Sequence, residues 1–127
     1  MNINDYISQF EMMDDELIYD FILEKGSNTK FPVERNNKNF VYGCQSDLWV
    51  SGRQGALGWE FFVDSDSYMV KGIGSVICEC LYGMTTEELE KVVWIDFVPL
   101  TKFFSQQRKQ GMQAIINKCK QISRGSK

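Results

Sequence analysis

The chain has 127 residues, 43% of them hydrophobic and 24% charged, which is typical of one globular domain that can bury a core without disulfides or metal. The net charge of -3 argues against a nucleic-acid partner, because neutralising phosphates requires an excess of basic residues. The sequence contains no histidine, which excludes Ser/His/Asp triads, Cys/His dyads and HExxH zinc sites.

We expect a single domain over residues 1–127, with an ordered core from about residue 2 to residue 122 and a short tail at 123–127. The N-terminal segment lacks the features of a signal peptide, and no apolar run is long enough to cross a membrane. The sequence therefore predicts a cytoplasmic protein, in which cysteines remain thiols. The four cysteines are Cys44, Cys78, Cys80 and Cys119.

Two short helices are predicted at the start of the chain. Apolar residues recur at helical spacing over 2–12 and again over 14–25, where Asp14 is a suitable N-cap and Gly26 a suitable stop. The polar stretch at 27–39 contains a proline and predicts a surface loop.

After this loop the apolar period changes to two, which is typical of strands. The pattern predicts three strands, at about 40–42, 48–52 and 57–63. The short connections between them favour an antiparallel sheet. This arrangement places Cys44 in the connection between the first and second strands.

An apolar stripe over 66–82 predicts a central buried helix. The segment 64–67 leads into it, and either Ser65 or Asp66 can cap its unpaired amides. Capping explains one of the two acids in this segment, and contact with a partner is the alternative for the other. Beyond this helix the pattern predicts a short interrupted helical segment and then a last helix capped by Ser105.

Three patterns in the predicted helices are interpreted as packing. Cys78 and Cys80 lie about 200° apart on a helix, so they cannot both face one metal ion. Gly72 and Gly74 lie within the central helix rather than between a strand and a helix, so they do not form a dinucleotide loop. Cys119 continues the apolar stripe of the last helix. We therefore expect no metal site and no bound cofactor.

Cys44 differs from the other cysteines because its predicted loop makes it accessible, as thiol chemistry requires. Gly43 before it permits a left-handed backbone. Gln45 and Ser46 after it offer hydrogen-bond donors to a charged sulfur. These local features are compatible with a reactive thiol and equally with a packed one.

The residues around Cys44 resemble the SufE family. The segment 39–50 matches that family's pattern of an asparagine, a strand, Gly-Cys-Gln-Ser, one further residue, an aliphatic residue and a tryptophan. Further matches follow in order as DSD, VKG, YGMTTEEL and the SQQRKQGM element that contains Arg108, so the resemblance runs from about residue 10 to residue 122. The departures from the family pattern are Val63, Gly74 and Gln106.

The resemblance implies an α+β fold in which a small curved antiparallel sheet of about three strands packs against helices. It implies that Cys44 carries a persulfide and is tucked into an apolar hollow. The candidates for supporting the cysteine loop or meeting a partner protein are Gly43, Gln45, Ser46, Asp66 and Arg108.

The resemblance also implies two partners: a pyridoxal-phosphate-dependent cysteine desulfurase of the SufS type as sulfur donor, and a SufB-containing cluster scaffold as acceptor. A thiolate at Cys44 would attack the donor's persulfide, which requires no histidine and no resident cofactor. Such a chain is a carrier rather than an independent enzyme. The alternatives are an acceptor feeding another sulfur sink such as tRNA modification, and a non-catalytic adaptor that activates the desulfurase by contact. A thiol oxidoreductase ranks third, because no second loop cysteine is present to resolve a disulfide.

Overall fold

The computed structural model describes residues 2–28, 33–44 and 46–125. Its helices and strands, in chain order, are α1 (Ile3–Glu11), α2 (Asp15–Asn28), β1 (Leu48–Gln54), β2 (Trp59–Ser65), α3 (Tyr68–Leu81), α4 (Thr86–Lys91), a 3-10 turn (Trp94–Phe97), α5 (Val98–Thr101) and α6 (Gln106–Ser123). A small sheet packed against helices confirms the predicted α+β class. In the part of the chain that is described, no helix is long and apolar enough to cross a membrane.

The first two helices begin at the predicted places. Asn2 and Asp5 cap α1 reciprocally, each side chain accepting a hydrogen bond from the other residue's backbone N–H. Asp14 caps α2, because its Oδ1 accepts a hydrogen bond from the Leu17 N–H at 2.8 Å. Gly26 does not stop this helix as predicted, since α2 continues to Asn28.

Gly26 is buried because α3 crosses α2 at this point. A side chain at Gly26 would overlap the Tyr68 carbonyl, and one at Gly72 would overlap the Ile22 carbonyl. The two helices therefore meet backbone to backbone. At Gly74 an added Cβ would lie 2.9 Å from a methyl of Val63 in β2. The interpretation of Gly72 and Gly74 as packing positions is confirmed.

β1 and β2 form an antiparallel pair, with Leu48 opposite Ser65 at one end and Gln54 opposite Trp59 at the other. The hairpin between them is closed by a hydrogen bond from the Gly55 N–H to the Gly58 carbonyl at 2.8 Å. Residues 55–58 form this turn, so the strand predicted at 57–63 lies two residues later in the chain.

The strand predicted at 40–42 is reduced to a single bridge between Phe40 and Trp49, so the described sheet has two strands. On the N-terminal side, a tight turn at Asn36 ends the pairing. The Asn36 side chain accepts a hydrogen bond from the Asn39 N–H at 2.9 Å and so forms this turn. On the C-terminal side the chain turns at Gly43, which has a φ of 91°. Too few residues remain between the two turns to extend the pairing.

Ser67, rather than Ser65 or Asp66, caps α3, and the predicted caps are wrong. The Ser67 Oγ accepts a hydrogen bond from the Val70 N–H at 3.2 Å. Ser65 is still the last residue of β2, so its backbone belongs to the sheet. Ser105 does occupy the N-cap position of α6, without a side-chain capping bond.

α3 lies at the centre of the fold and packs against α2, β2 and α6. Most of its residues are buried, including the charged Lys71. Cys78 and Cys119 lie in this core, whereas Cys80 is half-buried. The largest fully buried side chains around α3 include Phe10, Ile22, Leu48, Met112 and Ile115.

Gly72→Ala should lower the free energy of unfolding by about 1–3 kcal/mol, since its methyl has no space beside the Ile22 carbonyl. This loss should exceed the gain of about 1 kcal/mol in helix propensity. Gly55→Ala is the matched control, because its methyl meets only the flexible carboxylate of Glu60. Urea unfolding measures both variants, and equal stability of the two would contradict backbone contact between α2 and α3.

Candidate functional site at Cys44

Cys44 lies in a short loop between the Phe40 bridge and β1. The loop is closed at its base by a hydrogen bond from the Val41 N–H to the Leu48 carbonyl at 2.9 Å. Gly43 has a φ of 91°, a left-handed conformation that strains other residues. The loop therefore lies before β1, and its left-handed glycine directly precedes Cys44, as the sequence predicts. The predicted site residue Gln45 lies outside the described residues.

The thiol of Cys44 is half-buried against α6. It lies over Gly111, where an added Cβ would be 3.3 Å from the Cys44 Sγ. Beside the thiol is a cavity of about 180 Å³. The apolar side chains that line it come from α3 and α6 and are Met69, Val70, Ile73, Met112 and Ile115. The Cys44 thiol therefore lies between its own loop and α6, at the edge of this cavity.

Three polar side chains complete the lining of this cavity: Ser46 of the loop, Ser67 at the start of α3, and Arg108 in the first turns of α6. The Arg108 guanidinium also lies over the ring of Tyr19, 5.7 Å from its centre. The structure therefore brings Ser46 and Arg108 to Cys44. Arg108 thus places a half-buried cation in the lining of the same cavity as the Cys44 thiol.

Asp66 lies outside the cavity lining and is exposed. Its Oδ1 accepts a hydrogen bond from Nη1 of Arg35 at 2.6 Å, while the Arg35 Nε donates to Oδ2 of Asp64 at 3.0 Å. The guanidinium also lies 4.5 Å from the ring centre of Trp49. On the other side, the Lys71 Nζ is 3.5 Å from the Asp64 Oδ1.

Asp66 therefore serves as an ion-pair partner of Arg35, a role that the sequence does not indicate. Arg35 belongs to the segment that enters the cysteine loop, so its two ion pairs attach that segment to the end of β2 and the start of α3. Arg35 is a residue that sequence reasoning missed. It lies in a polar loop without periodicity, and nothing in the pattern marks its distant partners.

Asp64 and Arg35 each stabilise the charged form of the other. Burial raises the pKa of the Asp64 carboxyl, but hydrogen bonding and attraction to Arg35 outweigh it, and the pKa falls below its usual value. The Arg35 pKa is raised, first by its hydrogen bond to Asp64 and then by that to Asp66. Both groups are therefore ionised at neutral pH.

The remaining cysteines are poorly suited to nucleophilic chemistry. Burial, followed by the charge of Glu79, raises the pKa of Cys80 to about 12. Burial also raises the pKa of Cys119 well above its usual value, and a hydrogen bond with Cys78 adds to this effect. Within residues 2–28, 33–44 and 46–125, no group of three or more cysteine or acidic side chains is placed to hold a metal ion.

Together these features define a small α+β domain that presents one cysteine on a loop, over a cavity lined by both apolar and polar side chains. A family model for SufE, described as an Fe-S metabolism associated domain, matches residues 4–123. The chain belongs to the SufE family, which assigns it a role in iron–sulfur metabolism. Its fold is similar to the solution structure of a hypothetical protein from Thermus thermophilus, with a TM-score of 0.78 and 19% identity over 98% of this chain and 94% of that one.

Gly111→Ala should increase the rate at which iodoacetamide alkylates Cys44. The added methyl would lie 3.3 Å from the Sγ, so the thiol must shift by a few tenths of an ångström and the seated loop loses stability. If the overpacking costs about 1 kcal/mol, the exposed loop conformation gains roughly fivefold in population. Gln113→Ala, at an exposed position of the same helix, is the control. An unchanged Cys44 rate in Gly111→Ala would mean that the thiol does not rest on this glycine.

Proposed function

We propose that this protein accepts a persulfide sulfur on Cys44 from a cysteine desulfurase and delivers it to an iron–sulfur cluster scaffold. The observation that carries the proposal is the selective placement of one thiol. Cys44 lies on a loop with a glycine before it and a cavity below it, whereas Cys78 and Cys119 are buried and the half-buried Cys80 has a pKa raised to about 12. Membership of the SufE family supports the same conclusion.

The proposed reaction is a transfer between two sulfurs. The Cys44 thiolate attacks the terminal sulfur of the donor persulfide, and a new S–S bond forms on Cys44 while the donor's S–S bond breaks. The donor cysteine leaves with the electron pair as a thiolate. Sulfur moves with no net oxidation, so neither an oxidant nor a resident cofactor is required. The pyridoxal phosphate that generates the sulfur belongs to the desulfurase.

The cavity gives the bound persulfide a partly sheltered place. A persulfide oxidises more easily than a thiol, and reduced contact with solvent slows that loss. The volume of about 180 Å³ beside Cys44 exceeds the space that one additional sulfur needs. Arg108 at its edge supplies a positive charge for a persulfide anion.

Transfer requires the sulfur to leave this cavity, because two sulfurs must approach each other directly. We infer that docking on the desulfurase swings the loop outward about Gly43. The outward swing would move Ser46, which belongs to the loop, away from Arg108 on the opposite side of the cavity lining. The base of the loop, bonded between Val41 and Leu48, remains in place.

Cys44→Ser should abolish sulfur acceptance and leave folding intact, because a loop thiol contributes little to the core. The variant in which Cys78, Cys80 and Cys119 are all replaced by Ala should still accept sulfur. It should lose stability, since Cys78 and Cys119 are core positions. Persulfide-specific labelling after incubation with the desulfurase measures acceptance.

The same variants separate a carrier from a contact activator. If Cys44→Ser stimulates the desulfurase as strongly as the unmodified protein, contact alone is sufficient and the carrier proposal fails. If the triple variant folds but takes up no sulfur, another cysteine is the nucleophile. Delivery of labelled sulfur to a purified scaffold or to a tRNA-modifying enzyme distinguishes the two downstream routes.

Arg108→Ala should reduce stimulation of the desulfurase more than it reduces stability, since charges at a rim contribute about 0–1 kcal/mol to folding yet steer association. Desulfurase affinity and Cys44 alkylation are measured in parallel. Weaker binding at an unchanged alkylation rate assigns Arg108 to docking. Faster alkylation at unchanged binding assigns it to holding the loop, and no change in either quantity removes it from the site.

Asp66 requires a different comparison, because reversing its charge also breaks its bond with Arg35. Asp66→Lys is therefore measured beside Arg35→Ala, which breaks the same ion pair but leaves the carboxylate. If Asp66 contacts the desulfurase, only Asp66→Lys should weaken binding. Equal effects of the two substitutions would show that Asp66 acts through the loop.

A further inference from the structure

The hydroxyl of Ser65, at the end of β2, is hydrogen-bonded to the backbone of the chain that leaves the cysteine loop. Ser65, the last residue of β2, is 4% exposed, and its Oγ donates a hydrogen bond to the Asp47 carbonyl at 2.6 Å. Asp47 immediately precedes β1 and forms the C-terminal end of the loop. The hydroxyl therefore holds the backbone three residues after Cys44.

The same hydroxyl also contacts the element that forms the cavity wall. The Ser65 Oγ accepts a hydrogen bond from the Ser67 N–H at 3.1 Å. Ser67 caps α3 with its own side chain and lines the cavity beside Cys44. The Ser65 Oγ thus connects Asp47, at the end of the cysteine loop, with Ser67, at the start of α3.

Ser65 is well suited to this position because its backbone is fixed. It pairs with Leu48 across the sheet, and Leu48 is fully buried. A hydroxyl on a rigid strand sets the position of its partners more closely than a side chain on a mobile loop does. Its removal would leave the Asp47 carbonyl and the Ser67 N–H without this partner, which favours local opening.

We propose that Ser65 is a positioning residue for Cys44. Its hydroxyl fixes the outgoing end of the cysteine loop relative to the cavity and keeps the thiol seated against α6. The importance of this seat for sulfur transfer rests on the function proposed above. The position of the thiol itself is a property of the free protein and can be measured without a desulfurase.

The experiment measures alkylation of Cys44 by iodoacetamide in Ser65→Ala, using mass spectrometry of the peptide that contains it. Cys119 is fully buried and reports global opening within the same digest. Ser75→Ala is the matched control. Ser75 is also a buried serine, 3% exposed, but its hydroxyl donates to the Lys71 carbonyl within α3 at 2.8 Å.

We expect Cys44 to react about threefold faster in Ser65→Ala, as loss of a partly buried hydrogen bond shifts a local equilibrium by a factor of about this size. The Cys119 rate should be unchanged, and Ser75→Ala should leave Cys44 at the original rate. Ser65→Thr keeps the hydroxyl and should restore the slow reaction.

Three results would overturn the proposal: an unchanged Cys44 rate in Ser65→Ala, a parallel rise at Cys44 and Cys119, or equal acceleration by Ser75→Ala. Ser65→Thr reacting as fast as Ser65→Ala at an unchanged Cys119 rate would do the same. Failure of the original protein to accept sulfur would contradict the proposed function alone, since the alkylation rates involve no sulfur donor.

Discussion

The close crossing of α2 and α3 is the constraint on which the rest of the fold depends. Glycines at positions 26 and 72 remove the side chains that would separate the two helices, so their backbones come into contact. α3 can then lie at the centre, with β2 and α6 packed against it. The cavity beside Cys44 follows from this arrangement, because its walls are the first turns of α3 and the inward face of α6. A wider crossing would move the start of α3 and change the seat of the thiol.

The four cysteines differ in where the fold places them: Cys78 and Cys119 are buried, Cys80 is half-buried on α3, and Cys44 is half-buried on a loop. Transferring a thiolate into an apolar interior is unfavourable, so the pKa of Cys80 rises to about 12 and that of Cys119 rises well above its usual value. These thiols remain protonated at neutral pH and pack as small apolar groups. Cys44 is half-buried on a loop, where a turn at Gly43 brings it against α6. The loop position, rather than burial alone, therefore sets Cys44 apart from the other three cysteines.

Much of the fold could be predicted because the periodicity of apolar residues reports which face is buried. The helical stripe around 66–82 and the alternation in β2 correspond to elements that the structure contains. The errors concern local hydrogen bonds, which leave no periodic signal. Ser65 is a reasonable cap by residue type, yet β2 retains its backbone and Ser67 takes the cap. Arg35 could not be found at all, because its carboxylate partners are distant in sequence.

The two ends of the cysteine loop are held by interactions of different physical kinds. Arg35, whose side chain is 44% exposed, holds the incoming segment through ion pairs, which solvent and salt weaken and which charges on a docking protein can replace. Ser65 holds the outgoing segment through a partly buried hydrogen bond between uncharged groups, which salt weakens less than it weakens an exposed ion pair. Under the proposed function, the Ser65 contact and the Val41–Leu48 bond both stay in place while the loop swings outward about Gly43, so that Cys44 returns to the same cavity after each transfer.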